Sequence, residues 1–247
     1  MSSKHAVLKD VFGFDGFRPG QERIVDCLLD GRHVLAVMPT GAGKSLTYQV
    51  PALCKGGLTI VVSPLVALMQ DQVAALKLAG VAAETINSAA SREENVSIWK
   101  RVAAGEVRIL YMAPERLMTE RMIDALQRIG ISLIAIDEAH CISQWGASFR
   151  PEYDMLQNLR AAFPGVPIGA VTATADEATR QDIVSKLFGG DADLYVAGFD
   201  RPNITLTVEP KSSPRKQLLA FLQNRPEESG IVYALSRKSS EELAKFL

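Results

Sequence analysis

The chain has 247 residues, enough for one large domain, or for one complete domain and part of another. Its 47% hydrophobic and 22% charged residues exclude a disordered chain and a small disulfide-stapled scaffold. With 27 basic and 28 acidic side chains the net charge is -1, so no global positive field draws in a polyanion, and nucleic acid would have to be gripped in a local groove.

In chain order, Met1 to Asp10 lacks the apolar core of a secretory signal. From Arg32 onward, short strand-like runs alternate with amphipathic helical stretches. Strands are predicted over Val34–Val37, Leu58–Val62, Val107–Tyr111, Leu133–Ile136 and Ile168–Thr172, each brief, apolar on both faces and bounded by turn residues. Leu65, Leu68, Met69, Val73 and Leu76 form one helical stripe, and Met118, Met122, Leu126 and Ile129 form another. Ser91 with Glu94, and Thr174 with Glu177, have capping-box spacing, while Gly105 and Gly189 sit where helices should stop. Such alternation predicts a parallel sheet covered by helices on both faces, with ligands bound at the carboxyl ends of the strands.

A polar, proline-bearing stretch from Glu209 to Arg215 then interrupts the pattern, which restarts with a helix (Gln217 to Gln223), a strand (Ile231 to Leu235) and a helix opening (Ser239 to Leu247). The expected organisation is a first domain over 1–208 and a truncated second one over 209–247, so the chain is read as a fragment. Cys27, Cys54 and Cys141 are scattered without a short pairing or a histidine at ligand spacing, so no zinc is expected and a reducing compartment is. The longest apolar stretch, Leu58 to Met69, is broken by Ser63 and Pro64 and is too short to span a bilayer. A cytoplasmic protein without membrane contact is expected, nucleoid-associated if bacterial.

Val34–Met38 leads into Pro39-Thr40-Gly41-Ala42-Gly43-Lys44-Ser45 and then into a helix running through Leu53. Small residues between a strand and a helix let successive backbone N–H groups face one anion at the positive end of the helix. Lys44 supplies a cation for the β- and γ-phosphates of ATP, and the Ser45 hydroxyl can ligate Mg2+. The general pattern has a glycine where this chain has Met38, so the Gly-Lys-Ser half carries the reading; the bland alternative is a chance glycine turn. A second motif closes the apolar run Ile131–Ile136: Asp137-Glu138-Ala139-His140. Asp137 can hold the Mg2+ shell and Glu138 can orient and deprotonate an attacking water. Alone, two adjacent acids could equally be a solvated turn; together with the lysine loop they define an ATPase.

These motifs, with Thr172-Ala173-Thr174 at a later strand end, resemble the motor core of superfamily-two helicases over nearly the whole chain. Phe12-Gly13 and Phe17-Arg18-Pro19-Gly20-Gln21 are similar to the adenine-recognition segment of the RecQ family, in which the glutamine reads the adenine edge and the arginine packs near the base. Ser63 to Gln72, including Pro64 and Gln70, resembles the segment that touches a single-strand backbone, and Tyr111 to Leu117 resembles a second one, with Ala113 where the family often has serine. Phe199 to Ile204 resembles the family's junction into its second motor domain. Most discriminating is Cys141 to Tyr153, which resembles the aromatic-rich loop that couples strand binding to hydrolysis in RecQ helicases. Trp145 and Phe149 offer faces for base stacking, and Arg150 can pair with phosphate or stack. Core packing is the bland alternative for the aromatics, and Ala147-Ser148 departs from the family's histidine–aspartate pair. Thr174 is also a good helix N-cap and Thr172 an ordinary strand end, readings compatible with the family's link between hydrolysis and DNA movement. His140 is expected to hydrogen-bond between these parts.

The resemblance implies a RecA-like α/β fold and a 3'-5' DNA helicase core, acting in DNA repair and recombination on single-stranded and forked DNA, with ATP and Mg2+. ATP would lie along Thr40 to Ser45 with adenine near Gln21 and Arg18. No second-domain arginine for the γ-phosphate is present in the chain, and neither are the family's zinc-binding and winged-helix modules, so nucleotide binding with slow hydrolysis is expected of it alone. The alternatives are a nucleotide-gated binding module without unwinding, an RNA-directed helicase of the same superfamily and, well behind them, a small-molecule kinase.

Overall fold

The computed structural model describes residues 3–87, 89–143, 150–198 and 204–247. Seven strands, β1 (Val34–Val37), β2 (Leu58–Val62), β3 (Ala83–Ile86), β4 (Ile109–Met112), β5 (Ile131–Ile136), β6 (Ile168–Thr172) and β7 (Asp193–Val196), form one sheet in the order β3-β4-β2-β5-β6-β1-β7. Every pairing is parallel. Helices α1 (Lys4–Asp10), α2 (Gln21–Leu29), α3 (Leu46–Lys55), α4 (Val66–Leu78), α5 (Arg92–Ala103), α6 (Pro114–Leu117) and α7 (Glu120–Ile129) precede or alternate with the first five strands. After β5 come α8 (Pro151–Asp154), α9 (Leu159–Ala162) and α10 (Glu177–Phe188), then α11 (Pro214–Gln223) and α12 (Arg237–Phe246).

The doubly apolar strands explain the layering, because alternate residues enter opposite cores. Leu35, Ile60, Ile134 and Ile136 pack in one buried cluster, whereas Val34, Ala36, Val61, Leu133 and Ala135 pack in another on the opposite face. The expected RecA-like sheet with helices on both faces is therefore the observed one. β1, β2 and β6 have the predicted bounds. β4 begins two residues later than Val107, and β5 spans the whole apolar run Ile131–Ile136 that leads into the acid pair, not only its Leu133–Ile136 part. β3 and β7 were not expected; both are edge strands with polar or half-exposed residues, Glu84 in one and Asp193 in the other, which hide the apolar run.

Ser91 and Glu94 make the capping box in both directions. Thr174 does not cap α10. Asp176 does, its Oδ1 accepting from the Thr179 N–H at 2.8 Å, so the helix begins later than the capping spacing suggested. Of the second stripe, Met122 and Leu126 are buried on α7, while Met118 lies before it at the end of α6.

The chain divides into two compact units, Met1–Phe199 and Asp200–Leu247. In the second, the run Ile231–Leu235 forms no strand: Tyr233 is 89% and Leu235 105% exposed, and a segment without a hydrogen-bonding partner strand among the described residues has no ladder to join. Among the described residues, no helix is long and apolar enough to cross a membrane.

Candidate functional site

Strand order alone lines up the motifs. Reading across the carboxyl ends, β4 leads to Ala113, β2 to Ser63, β5 to Asp137, β6 to Ala173 and β1 to the glycine loop. The acid pair and the lysine loop are two interstrand steps apart, about 10 Å, with the Thr-Ala-Thr strand end between them.

The loop begins where Met38 N–H donates to Thr172 O at 2.9 Å. Met38 is buried in the core, and its carbonyl accepts from Lys44 Nζ at 3.3 Å, so this position requires no glycine. Gly41 and Gly43 do: their φ values are 83° and 77°, a left-handed backbone that residues with a side chain resist. Ala42 N–H donates back to Pro39 O, whereas no hydrogen bond to another described residue engages the N–H groups of Gly43, Lys44 and Ser45. Ser45 is the N-cap of α3 and makes no side-chain cap bond. A run of unengaged donors at a helix start, with a lysine beside it, is receptive to a polyphosphate.

Gly20, at φ 82°, turns the chain into α2 and places Gln21 against this loop. Gln21 Nε2 donates to Ala42 O and to Gly43 O, both at 3.0 Å, and its Oε1 accepts from Arg18 N–H at 2.8 Å. The Arg18 guanidinium donates to Gly41 O. The two residues expected at the adenine thus grip the phosphate loop itself. The approach is close: a Cβ on Gly43 would lie 2.3 Å from Gln21 Nε2.

Asp137 continues β5, its N–H donating to Val62 O at 2.8 Å. Burial, and then the neighbouring Glu138, push its carboxyl up to about 6. Glu138 is the one non-glycine residue with positive φ among the described residues, at 51°. A hydrogen bond from His140 holds its carboxyl below the usual range, and the Lys44 charge acts the same way on both acids. Carrying the Ile136–Ala170 pairing two residues on puts Thr172 level with Glu138, and the His140 side chain reaches both. His140 Nδ1 lies 2.8 Å from Thr172 Oγ1 and 3.2 Å from Glu138 Oε2. Thr172 Oγ1 donates to Thr174 O at 3.1 Å, so it accepts from the N–H at His140 Nδ1. The Cys141 sulfur at Nε2, and Glu138 at Nδ1, raise the His140 pKa to about 9. His140 bridges the acid pair and the β6 end, as its sequence position suggested.

On the β2 and β4 side, Ser63 is buried, and its Oγ has no hydrogen-bond partner among the described residues. Its N–H donates to Met112 O at 3.3 Å, tying the two segments expected to touch a strand backbone. Gln70 is exposed and Pro64 half-buried. Arg150 N–H donates to Cys141 O at 3.0 Å, and its guanidinium donates to Pro64 O at 3.3 Å, so here Arg150 joins two segments rather than facing solvent alone. Trp145 and Phe149 lie outside the described residues, as does the 199–203 part of the junction segment. Two side chains escaped the sequence reading. Tyr153, fully buried, donates to Asp137 O at 3.0 Å. Gln49 bridges to Gln72 and Tyr111; its signal was a long polar residue within the largely apolar part of α3 that precedes Lys55.

The profile of the DEAD/DEAH box helicase family matches residues 18–183. The chain is 47% identical over 242 residues to the ATP-dependent DNA helicase RecQ of Haemophilus influenzae, covering 98% of this chain and 39% of that protein. It is 40% identical to the RecQ of Bacillus subtilis, covering 96% and 41%. It is likewise 40% identical to the ATP-dependent DNA helicase Q-like 2 of Arabidopsis thaliana, covering 95% and 35%. The chain therefore spans roughly two fifths of these relatives. In fold it is similar to the DUF1998 helicase MrfA bound to DNA and AMPPNP, with a TM-score of 0.74 and 18% identity, covering 100% of this chain and 37% of that one. A lysine loop, an Asp-Glu-Ala-His strand end and the profile match agree, and the chain belongs to the DEAD/DEAH box helicase family.

Proposed function

We propose that the chain is the ATP-binding motor unit of a RecQ-like DNA helicase, which hydrolyses ATP in response to single-stranded DNA and moves 3'-5' to unwind duplex, forked substrates included. The observation that carries this reading is positional: the lysine loop after β1 and the acid pair after β5 stand at the carboxyl ends of one parallel sheet, flanking the β6 end, a placement that would let both serve one ligand.

The donor set fits Mg2+·ATP. Open space beside Gly41, N–H groups at Gly43 to Ser45 without a hydrogen bond to another described residue, and a carboxylate at Asp137 whose charge burial disfavours are features such a ligand would satisfy. Thr40 to Ser45 would hold the phosphates, with Ser45 and Asp137 on the metal side. A bound Mg2+ would supply charge neutralisation at the β- and γ-phosphates. Glu138, kept ionised by His140, is suited to orient a water and take its proton. Gln21 and Arg18 hold the loop's carbonyls and so set its shape. His140 and Thr172 carry displacement of Glu138 to the β6 end, and Arg150 carries displacement of the 150–153 segment to Pro64. Trp145, Phe149, Ser63, Pro64 and Gln70 are proposed to line the strand path, with Thr174 at its β6 edge.

ATP turnover of the longer natural protein with single-stranded DNA, single-stranded RNA or neither tests the reading. Stimulation by DNA well above RNA is expected. Equal stimulation by RNA would reassign the substrate, and no stimulation would remove the motor role.

A further inference from the structure

α3 is the helix that the lysine loop runs into, and its first turn carries the buried side chain of Gln49, only 5% exposed. The Gln49 backbone N–H donates to Ser45 O at 2.9 Å, so any movement of the loop's last residue is passed on within one helical turn. Its side chain leaves the helix in two directions. Nε2 donates to Gln72 Oε1 on α4 at 3.1 Å and to the Tyr111 hydroxyl on β4 at 3.2 Å. Those partners belong to the two segments, one after β2 and one after β4, that are proposed to contact a nucleic-acid backbone.

The surroundings make this contact selective. Tyr48, Met69, Val73 and Tyr111 belong to one buried apolar cluster, and the Gln49–Tyr111 bond is itself buried, so water does not compete for that amide hydrogen. Burial pushes the Tyr111 hydroxyl up to about 12, so it remains an uncharged partner at any ordinary pH. Each segment is also tied to the other, through Ser63 N–H to Met112 O at 3.3 Å. A shift of α3 therefore reaches α4 and β4 together. Apolar packing alone tolerates sliding, whereas two hydrogen bonds from one amide fix a single register.

We propose that Gln49 is a positioning residue that couples occupancy of the phosphate loop to the grip on single-stranded DNA, by moving α4 and the β4 end as one body with α3. The inference rests on the motor reading given above. It touches neither nucleotide nor strand directly, so its removal should spare each separate affinity and weaken their linkage, which is reciprocal by thermodynamic necessity.

The test uses the full-length protein and a fluorescent single-stranded oligonucleotide, with DNA affinity measured without nucleotide and with a non-hydrolysable ATP analogue and Mg2+. In the unmodified protein the analogue should change DNA affinity by about fivefold or more. In Gln49→Met the ratio should fall to within about twofold of unity, with analogue affinity in the absence of DNA held within the same factor. Gln72→Met, at a half-buried position, should reduce the ratio too and carries the test if Gln49→Met does not fold. A full ratio retained in both folded variants overturns the coupling role and leaves the motor reading standing. No nucleotide effect in the unmodified protein overturns the coupling role, while the motor reading is decided separately by the turnover test above. Parallel loss of both affinities with the ratio intact assigns Gln49 to packing alone and overturns the proposal.

Discussion

The Tyr153 hydroxyl donates to the main-chain carbonyl of Asp137 at 3.0 Å, joining the start of α8 to the acid pair across the 144–149 segment. The bond is fully buried, and a carbonyl left without its donor there costs about 1–3 kcal/mol. Tyr153→Phe removes the donor and little volume. It should lower the melting temperature and reduce nucleic-acid-stimulated kcat several-fold, with the KM for ATP nearly unchanged. A raised KM at constant kcat would mean that the hydroxyl supports nucleotide binding instead.

Gly43 is constrained twice, by a φ of 77° and by Gln21 Nε2 standing where a Cβ would go. Gly43→Ala should therefore displace Gln21 and destabilise the chain by about 1–3 kcal/mol. Nucleotide affinity should drop with it. Melting curves with and without an ATP analogue check this; a wild-type shift on adding the analogue would show that the loop tolerates the methyl group.

Asp137 is an aspartate whose ionised form is disfavoured by burial. Asp137→Asn keeps the shape and removes the charge, so the ligand-free chain should become more stable at about pH 8, by something on the order of 1–3 kcal/mol, while turnover is lost. Urea unfolding of the two proteins decides it. A destabilised asparagine variant would mean that attraction to Lys44 outweighs the desolvation.

His33 gives a pH dependence far from the chemistry. Its Nδ1 accepts from Ile168 N–H at 3.1 Å, and burial, followed by the nearby Arg160 charge, lowers its pKa below 6.5. A lowered pKa means that the folded chain prefers the neutral ring. The stability this contributes is present above pH 6.5 and is lost as pH falls towards the depressed value. His33→Asn retains an acceptor without the titration, so the stability difference between the two proteins should shift in favour of the variant below about pH 6. A difference independent of pH would contradict this.

Much of the architecture was legible in the residues because doubly buried strands advertise themselves. β1, β2 and β6 are short β-branched runs between turn residues, and their bounds follow from that pattern. β3 and β7 were hidden because an edge strand has one partner and tolerates Glu84 or Asp193. The run Ile231–Leu235 shows the opposite failure, since strand propensity cannot form a ladder without a neighbour. In the site, residue types announced the lysine loop and the acids, whereas hydrogen-bond direction could not be read from spacing. Gln21 and Arg18 face loop carbonyls, Thr174 yields the helix cap to Asp176, and Gln49 and Tyr153 act through partners 23 and 16 residues away in sequence.

The central claim is that Lys44 and Asp137 serve one magnesium–triphosphate site. Calorimetric titration of the chain with a non-hydrolysable ATP analogue, with and without Mg2+, tests it most directly. The account predicts Mg2+-enhanced binding to the unmodified chain, binding weakened by about tenfold or more in Lys44→Ala, and no Mg2+ enhancement in Asp137→Asn. Unweakened binding to folded Lys44→Ala, or undiminished Mg2+ enhancement in Asp137→Asn, would contradict it.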